Sequence, residues 1–81
     1  MTRVVVTVMP RAGVLDPQGQ TVQGALARLG YGGVGDVRVG KRIELELDGD
    51  DPAALAERAR EMADRLLANP LIEDYRVEVA G

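Results

Sequence analysis

Residues 36–48 read DVRVGKRIELELD, and the fold depends on whether this stretch forms one strand or two. Gly40 and Lys41 have the composition of a two-residue hairpin turn, which would divide the stretch into a pair of strands. That turn would place Val39 opposite Arg42 and would mix apolar and charged side chains on one face. The side-chain pattern therefore disfavours a tight hairpin at this point.

A single strand gives a consistent pattern, because apolar and charged side chains then alternate and only Lys41 interrupts the apolar face. We predict one long strand that bends at Gly40, although a hairpin with a longer loop over residues 40–42 would preserve the same alternation. The strand would span about 40 Å at ~3.3 Å per residue, farther than the short first and last strands reach. Its overhang predicts pairing with a second copy of the chain. The apolar face comprises Val37, Val39, Ile43, Leu45 and Leu47.

Two helices are predicted on either side of this strand from an aspartate followed by a proline, the pattern of an N-cap and first helical residue. Asp-Pro at 16–17 opens a helix over residues 17–29, and Gly30 follows in the position that ends it. Asp-Pro at 51–52 opens the second helix, which Asn-Pro at 69–70 ends. The first helix has an apolar stripe at helical spacing, formed by Val22, Ala25, Leu26 and Leu29. The predicted buried stripe of the second helix comprises Leu55, Ala59, Met62, Ala63 and Leu66.

Alternating β-branched and apolar residues predict a first strand at residues 3–9 and a last strand through Tyr75, Val77 and Val79. The order β-α-β-α-β predicts a single α+β domain over residues 1–81, a two-layer sandwich with an antiparallel sheet and both helices on one face. A hairpin in the middle would make the order βαββαβ. A core without Phe, Trp or Cys supplies only about 3–5 kcal/mol at this size, which predicts a homodimer or tetramer.

Composition excludes several classes of function. The chain has no His and no Cys, so the common general base, thiol nucleophile and zinc ligands are missing. A net charge of −3 argues against nucleic acid as a partner. We expect no signal peptide, no membrane contact and a cytoplasmic location, because no apolar run approaches the length of a membrane span.

Three polar clusters remain as candidates for binding. Asp48, Asp50 and Asp51 lack the spacing of a calcium loop and are interpreted as a cap and a solvated turn, so no metal site is predicted. Gly13 and the start of the first helix could hold a phosphate, but an aspartate at the N-cap would repel an anion. The third cluster, Arg38 to Lys41, is either an ordinary charged bend or a contact for an acidic or phosphorylated partner.

Gly19 is unusual because it falls in the first turn of a helix, where glycine costs roughly 1 kcal/mol relative to alanine. A bare α-carbon at this position indicates that another backbone or a ligand approaches closely. We therefore expect the turn at 16–19 to be a contact surface, and protein contact is favoured over a ligand because the chain offers little chemistry for a ligand to meet.

Three motifs, GVLDPQG at 13–19, VRVGK at 37–41 and LLANPLIEDY at 66–75, occur in an order and at separations that resemble the PurS family, the small subunits of phosphoribosylformylglycinamidine synthase. The resemblance extends from the first strand through the last. It implies a PurS-like fold and an accessory subunit, without an active site of its own, in a C–N ligase complex of de novo purine biosynthesis. A free-standing α+β module that senses a small metabolite is the alternative.

The resemblance also implies partners and contact residues. In that family the small subunit joins a glutaminase subunit and a synthetase subunit, which uses ATP and Mg, and is thought to bridge them and to assist ammonia transfer. This chain would itself bind no cofactor. The residues expected to contact these partners or a second copy are Asp16, Gln18, Gly19, Arg38, Gly40, Lys41 and Asn69.

Overall fold

A computed structural model describes residues 1–80 as a three-stranded antiparallel sheet with two helices. The α+β class and the order β-α-β-α-β are confirmed. No helix within this part of the chain is long and apolar enough to cross a membrane. The elements are β1 (Thr2–Pro10), α1 (Pro17–Arg28), β2 (Lys41–Leu47), α2 (Pro52–Met62), a π-helical turn (Ala63–Leu67) and β3 (Glu73–Ala80).

The sheet has the strand order β2-β1-β3, so the first strand lies in the middle. Val6 is the centre of the register, because it pairs with Ile43 on one side and with Val77 on the other. The pairing of β1 with β2 runs from Thr2 to Val8 and stops there. The last two residues of β1 pair only with β3, so the sheet is narrower at this end.

The core lies between one face of this sheet and α2. Val4, Val6 and Val8 are completely buried on that face, as alternation along a strand requires. Leu55 and Ala59 of α2 are the buried side chains of that helix. Apart from Val5 on the opposite face, the other buried apolar residues are Leu47, Ala63 and Ala68. The core is therefore small, as the composition predicts.

The end of the second helix differs from the predicted stripe. The backbone N–H of Ala68 donates to the carbonyl oxygen of Ala63, at 2.9 Å, which closes a π turn of five residues. This wider turn rotates the following side chains, so Leu67 packs against the core and Leu66 is 82% exposed. The prediction that Leu66 is buried is wrong, because regular helical spacing does not continue through this turn.

Residues 36–40 lie outside the sheet of this chain. The single strand predicted over residues 36–48 forms only in its second part, because β2 begins at Lys41 and pairs with β1. The alternative hairpin does not form either, since residues 36–40 are not a strand. The alternation predicted for one continuous strand does persist: Val37 and Val39 are half-buried, whereas Asp36 and Arg38 are exposed. The stretch thus continues the alternation of β2 beyond the point where this chain supplies a neighbouring strand.

Helix α1 begins and ends where the sequence predicts, but it makes few contacts with the sheet. Its end is closed by two hydrogen bonds, from Gly30 N–H to the carbonyl of Ala27 and from Tyr31 N–H to that of Leu26, with Gly30 at φ +93°. The molecule is accordingly long, at 48 × 25 × 15 Å, with a radius of gyration of 15.9 Å. A compact chain of this length would have about 12 Å.

Candidate functional site

Two of the three sequence motifs, at 13–19 and 37–41, meet at the segment 36–40, which joins α1 to the sheet. This segment passes against the first turn of α1 on one side and against the end of β1 on the other. We refer to the contacts that residues 37–40 make with Asp16, Gly19 and Val8 as the junction. It contains four of the seven residues that the sequence identifies as candidates, since Arg38 and Gly40 lie on the segment itself.

Asp16 connects the two sides of the junction through its carboxylate. One oxygen, Oδ1, accepts from the backbone N–H of Gly19 at 3.0 Å and caps α1, as predicted. The other, Oδ2, accepts from the backbone N–H of Val39 at 2.8 Å. These donors, in the order Gly19 then Val39, hold the pKa of Asp16 below its ordinary value, and the charge of Arg38 adds to the effect. A single ionised side chain therefore fixes the helix start to the segment 36–40.

Gly19 and Gly40 are the positions at which backbones approach most closely. A Cβ atom on Gly19 would lie 2.1 Å from the carbonyl oxygen of Val37 and 2.6 Å from Oδ2 of Asp16. A Cβ atom on Gly40 would lie 2.2 Å from the carbonyl oxygen of Val8. The close backbone that the sequence predicts at Gly19 thus belongs to the chain itself.

Asn69 lies in a separate corner, between the π turn and β3. Its side-chain oxygen accepts from the backbone N–H of Leu71 at 3.2 Å, and its own N–H donates to the Glu73 carboxylate at 2.7 Å. Its carbonyl oxygen also accepts from the N–H groups of Ile72 and Glu73. Asn69 therefore shapes the turn before β3 as well as ending the helix.

Arg11 connects this corner to the loop before α1, and no motif in the sequence singles this residue out. Its Nε donates to the carbonyl oxygen of Pro70 at 2.9 Å, and its Nη1 lies 3.0 Å from Oδ1 of Asp74. Its backbone N–H donates to the carbonyl oxygen of Ile72 at 2.9 Å. The only signal in the sequence is a single arginine directly after Pro10, which ends the first strand, and such an isolated residue gives no spacing to interpret.

The remaining candidates, Gln18 and Lys41, are exposed beside the junction. Gln18 borders a shallow and mostly apolar depression together with Val22 and Val39. Lys41 is the first residue of β2 and pairs with Val8. Several large apolar side chains of the first helix and its flanking loops are also exposed: Leu15, Val22, Leu29, Tyr31 and Val34.

The Asp16 carboxylate at the junction is suited to accepting hydrogen bonds and poorly suited to proton transfer. A carboxylate with a lowered pKa stays ionised at neutral pH and is a poor proton acceptor, whereas a general base works best with a pKa near the working pH. Both oxygens of Asp16 already accept hydrogen bonds. Within residues 1–80, no group of three or more Asp or Glu residues is arranged to hold a metal ion.

Comparison with known proteins identifies the family. The family model PurS, described as phosphoribosylformylglycinamidine (FGAM) synthase, matches residues 3–81. The chain is 54% identical over 77 residues to the FGAM synthase subunit PurS of Mycobacterium leprae, covering 95% of this chain and 94% of the relative. It also resembles the crystal structure of Methanocaldococcus jannaschii PurS, a subunit of formylglycinamide ribonucleotide amidotransferase, with a TM-score of 0.88 and 36% identity over 99% of this chain and 96% of that one.

A chain in the structure of PurLQS from Thermotoga maritima is similar as well, with a TM-score of 0.86 and 29% identity over 98% of this chain and 96% of that one. The relatives are matched over nearly their whole length, and all three motifs of the junction and the corner fall inside the matched residues. The chain therefore belongs to the PurS family of phosphoribosylformylglycinamidine synthase subunits.

Proposed function

We propose that this chain is the accessory subunit of a phosphoribosylformylglycinamidine synthase complex in purine biosynthesis. It bridges the glutaminase and synthetase subunits and assists the passage of ammonia between them. The complex uses glutamine and ATP with Mg, and the chain binds none of these cofactors itself. The observation that carries the proposal is the family match over residues 3–81, together with the likeness to a chain of PurLQS.

The chain acts without an active site of its own. It has no His and no Cys, and the carboxylate at the junction is held ionised by backbone donors. Ammonia transfer needs a sealed path more than a reactive group, because ammonia that escapes to water is protonated and lost. A small rigid subunit between two larger ones meets that need. We propose further that residues 1–81 act as one domain and that the complex works in the cytoplasm.

Self-association accompanies this role. Helix α1 has a half-exposed apolar stripe and makes few contacts with the sheet, and the core that remains is small. Leu29 is 73% exposed on this helix. A homodimer or tetramer that covers α1 would remove this surface from water at about 25 cal/mol per Å². Sedimentation velocity at micromolar concentration should give a dimer or larger, and a monomer would contradict the proposal.

Reconstitution tests the function directly. The glutaminase and synthetase subunits should co-purify with this chain, and glutamine-dependent synthesis should fall when the chain is omitted. Synthesis supported by added ammonia should change much less, since it needs no transfer. Undiminished glutamine-dependent activity without the chain would end the proposal.

Lys41→Ala tests whether the junction contacts a partner subunit, because Lys41 is exposed beside the junction and makes no ion pair within residues 1–80. It should lower glutamine-dependent activity while the subunit stays folded. Arg58→Ala, on the exposed part of α2, is the matched control and should leave activity unchanged. An equal loss of ammonia-dependent activity in Lys41→Ala would mean that this residue supports the synthetase reaction and not the transfer.

A further inference from the structure

A cavity of about 250 Å³ lies beside the junction. The proposed role of this chain, to bridge two larger subunits, does not require such a cavity. It is open to solvent and is lined by the loop 11–16, by Gln20 of α1 and by residues 36–38. Its volume lies below the ~300–1,000 Å³ of drug-sized pockets. The space therefore suits a small metabolite.

Four charged residues border the cavity, and two of them are committed to the fold. Arg11 pairs with Asp74 and donates to the carbonyl oxygen of Pro70. Asp16 accepts hydrogen bonds on both carboxylate oxygens. These two side chains hold the walls in place and have little remaining capacity for a ligand.

Asp36 and Arg38 are the two charged residues that remain available. Neither forms an ion pair within 4 Å in residues 1–80. They are separated by one residue in a segment where Val37 and Val39 are the more buried positions, so alternation places both charges on the opposite side. The cavity lining thus includes one carboxylate and one guanidinium that form no ion pair within residues 1–80.

We propose that this cavity binds a small zwitterion of the α-amino acid class. The ligand carboxylate meets the guanidinium fork of Arg38, a geometry that arginine forms with two parallel hydrogen bonds. The ligand ammonium meets the carboxylate of Asp36. The side-chain amide of Gln20, at the cavity wall, is a neutral donor and acceptor for the rest of the ligand.

The balance of charge distinguishes a zwitterion from an anion. The two carboxylates that border the cavity offset its two arginines, so the lining has no net positive charge to attract a phosphate. A ligand with separated positive and negative groups instead neutralises Asp36 and Arg38 together. The same argument excludes a simple amine or a simple carboxylate, since each would leave one charge without a partner.

Titration of the full-length chain with free glutamine, glutamate and glycine tests the proposal. Binding is measured by calorimetry and by changes in the amide chemical shifts. We expect binding in the millimolar range or tighter, with shifts concentrated at residues 11–16 and 36–38. Acetate and methylamine carry only one of the two charges and should bind at least about tenfold more weakly, the equivalent of one lost charged hydrogen bond.

Two variants and a control complete the test. Arg38→Gln and Asp36→Asn should each weaken amino acid binding about tenfold or more. Arg58→Gln, an exposed arginine of α2 remote from the cavity lining, should not. Retained hydrogen-exchange protection at the amides of Gly19 and Val39, which donate to Asp16, would verify that the junction is intact in each variant.

Three results would overturn the proposal: no binding up to on the order of 10 mM, which corresponds to less than about 3 kcal/mol; binding of inorganic phosphate in preference to amino acids; or amino acid binding that survives both variants. The comparison with acetate and methylamine uses the unaltered chain, so it decides the matter even if a variant fails to fold. None of these results bears on glutamine-dependent synthesis by the complex, which is measured separately.

Discussion

Replacing Gly19 by alanine should destabilise the junction, although alanine is the better helix former. The new Cβ would lie 2.1 Å from the carbonyl oxygen of Val37, and an ordinary contact begins near 3.4 Å. The segment would have to retreat by about 1.3 Å. The hydrogen bond from Val39 N–H to Asp16, now 2.8 Å long, would not survive a shift of that size.

Gly24→Ala is the matched control, because Gly24 lies in the same helix and a Cβ there meets only Nη1 of Arg28, at 3.5 Å. Both variants gain the same helix propensity of about 1 kcal/mol, so the difference between them isolates the clash. Overpacking of this kind costs about 1–3 kcal/mol. Gly24→Ala should therefore be more stable than the unaltered chain, and Gly19→Ala less stable than Gly24→Ala by about that amount.

Urea and thermal unfolding measure this difference, and about 4–8 °C in Tm is expected for each kcal/mol in a domain of this size. Because α1 makes few contacts with the sheet, it can open without global unfolding. Amide hydrogen exchange of residues 17–28 should therefore be followed in parallel. If Gly19→Ala raised the free energy of unfolding and the exchange protection of α1 as much as Gly24→Ala, the close packing of segment 36–40 on α1 would be refuted.

The other predictions concern the junction and the second helix. Gly40→Ala should cost about 1–3 kcal/mol, because its Cβ would meet the backbone of β1 at 2.2 Å; Gly35→Ala, with open space around it, should be neutral or gain about 0.4–1 kcal/mol. Leu66→Ala should change stability by less than about 0.5 kcal/mol and Leu67→Ala by more than about 1 kcal/mol; equal losses would contradict the π turn. The lowered pKa of Asp16 means that its contribution is complete above the ordinary carboxyl pKa, near 4, and is lost as pH falls through the lower folded value. Protection of α1 against exchange should fall in that window and should show no such step in Asp16→Asn.

Local chemistry explains which parts of the fold the sequence predicts well. Helix α1 was expected over residues 17–29 and spans Pro17–Arg28, because an aspartate, a proline and a terminal glycine determine its ends within a few residues. The side-chain alternation through residues 36–48 was likewise readable. The point where β2 begins was not, because it depends on how far β1 extends beside it. The π turn was also unpredictable, since one wider turn leaves no mark in the spacing of Leu66 and Leu67.

At the candidate site too, the sequence predicts local chemistry but not which distant residues come together. The bare α-carbon of Gly19 correctly indicated that a backbone lies against it. Sequence could not say whose backbone, because Val37 is 18 positions away and the choice between this chain and a partner is made by tertiary structure. Arg11 was missed for a related reason: its partners, Pro70 and Asp74, lie at the other end of the chain, and a single arginine carries no periodicity.

The structure separates the motif residues into two groups with different expected roles in the complex. Four motif residues already make specific contacts within the chain. The carboxylate of Asp16 accepts two hydrogen bonds, the bare α-carbons of Gly19 and Gly40 allow backbones to approach, and the side-chain amide of Asn69 forms a turn. Substituting them would disturb the junction or the corner, and lost activity would then follow from lost structure. The three other candidates, Gln18, Arg38 and Lys41, are exposed, and their side chains form no hydrogen bond or ion pair within residues 1–80, although the charge of Arg38 acts on Asp16. Substitutions at those three residues can therefore separate loss of partner contact from loss of folding. If such a substitution changed neither the activity of the complex nor binding to its subunits, the residue would not be a partner contact.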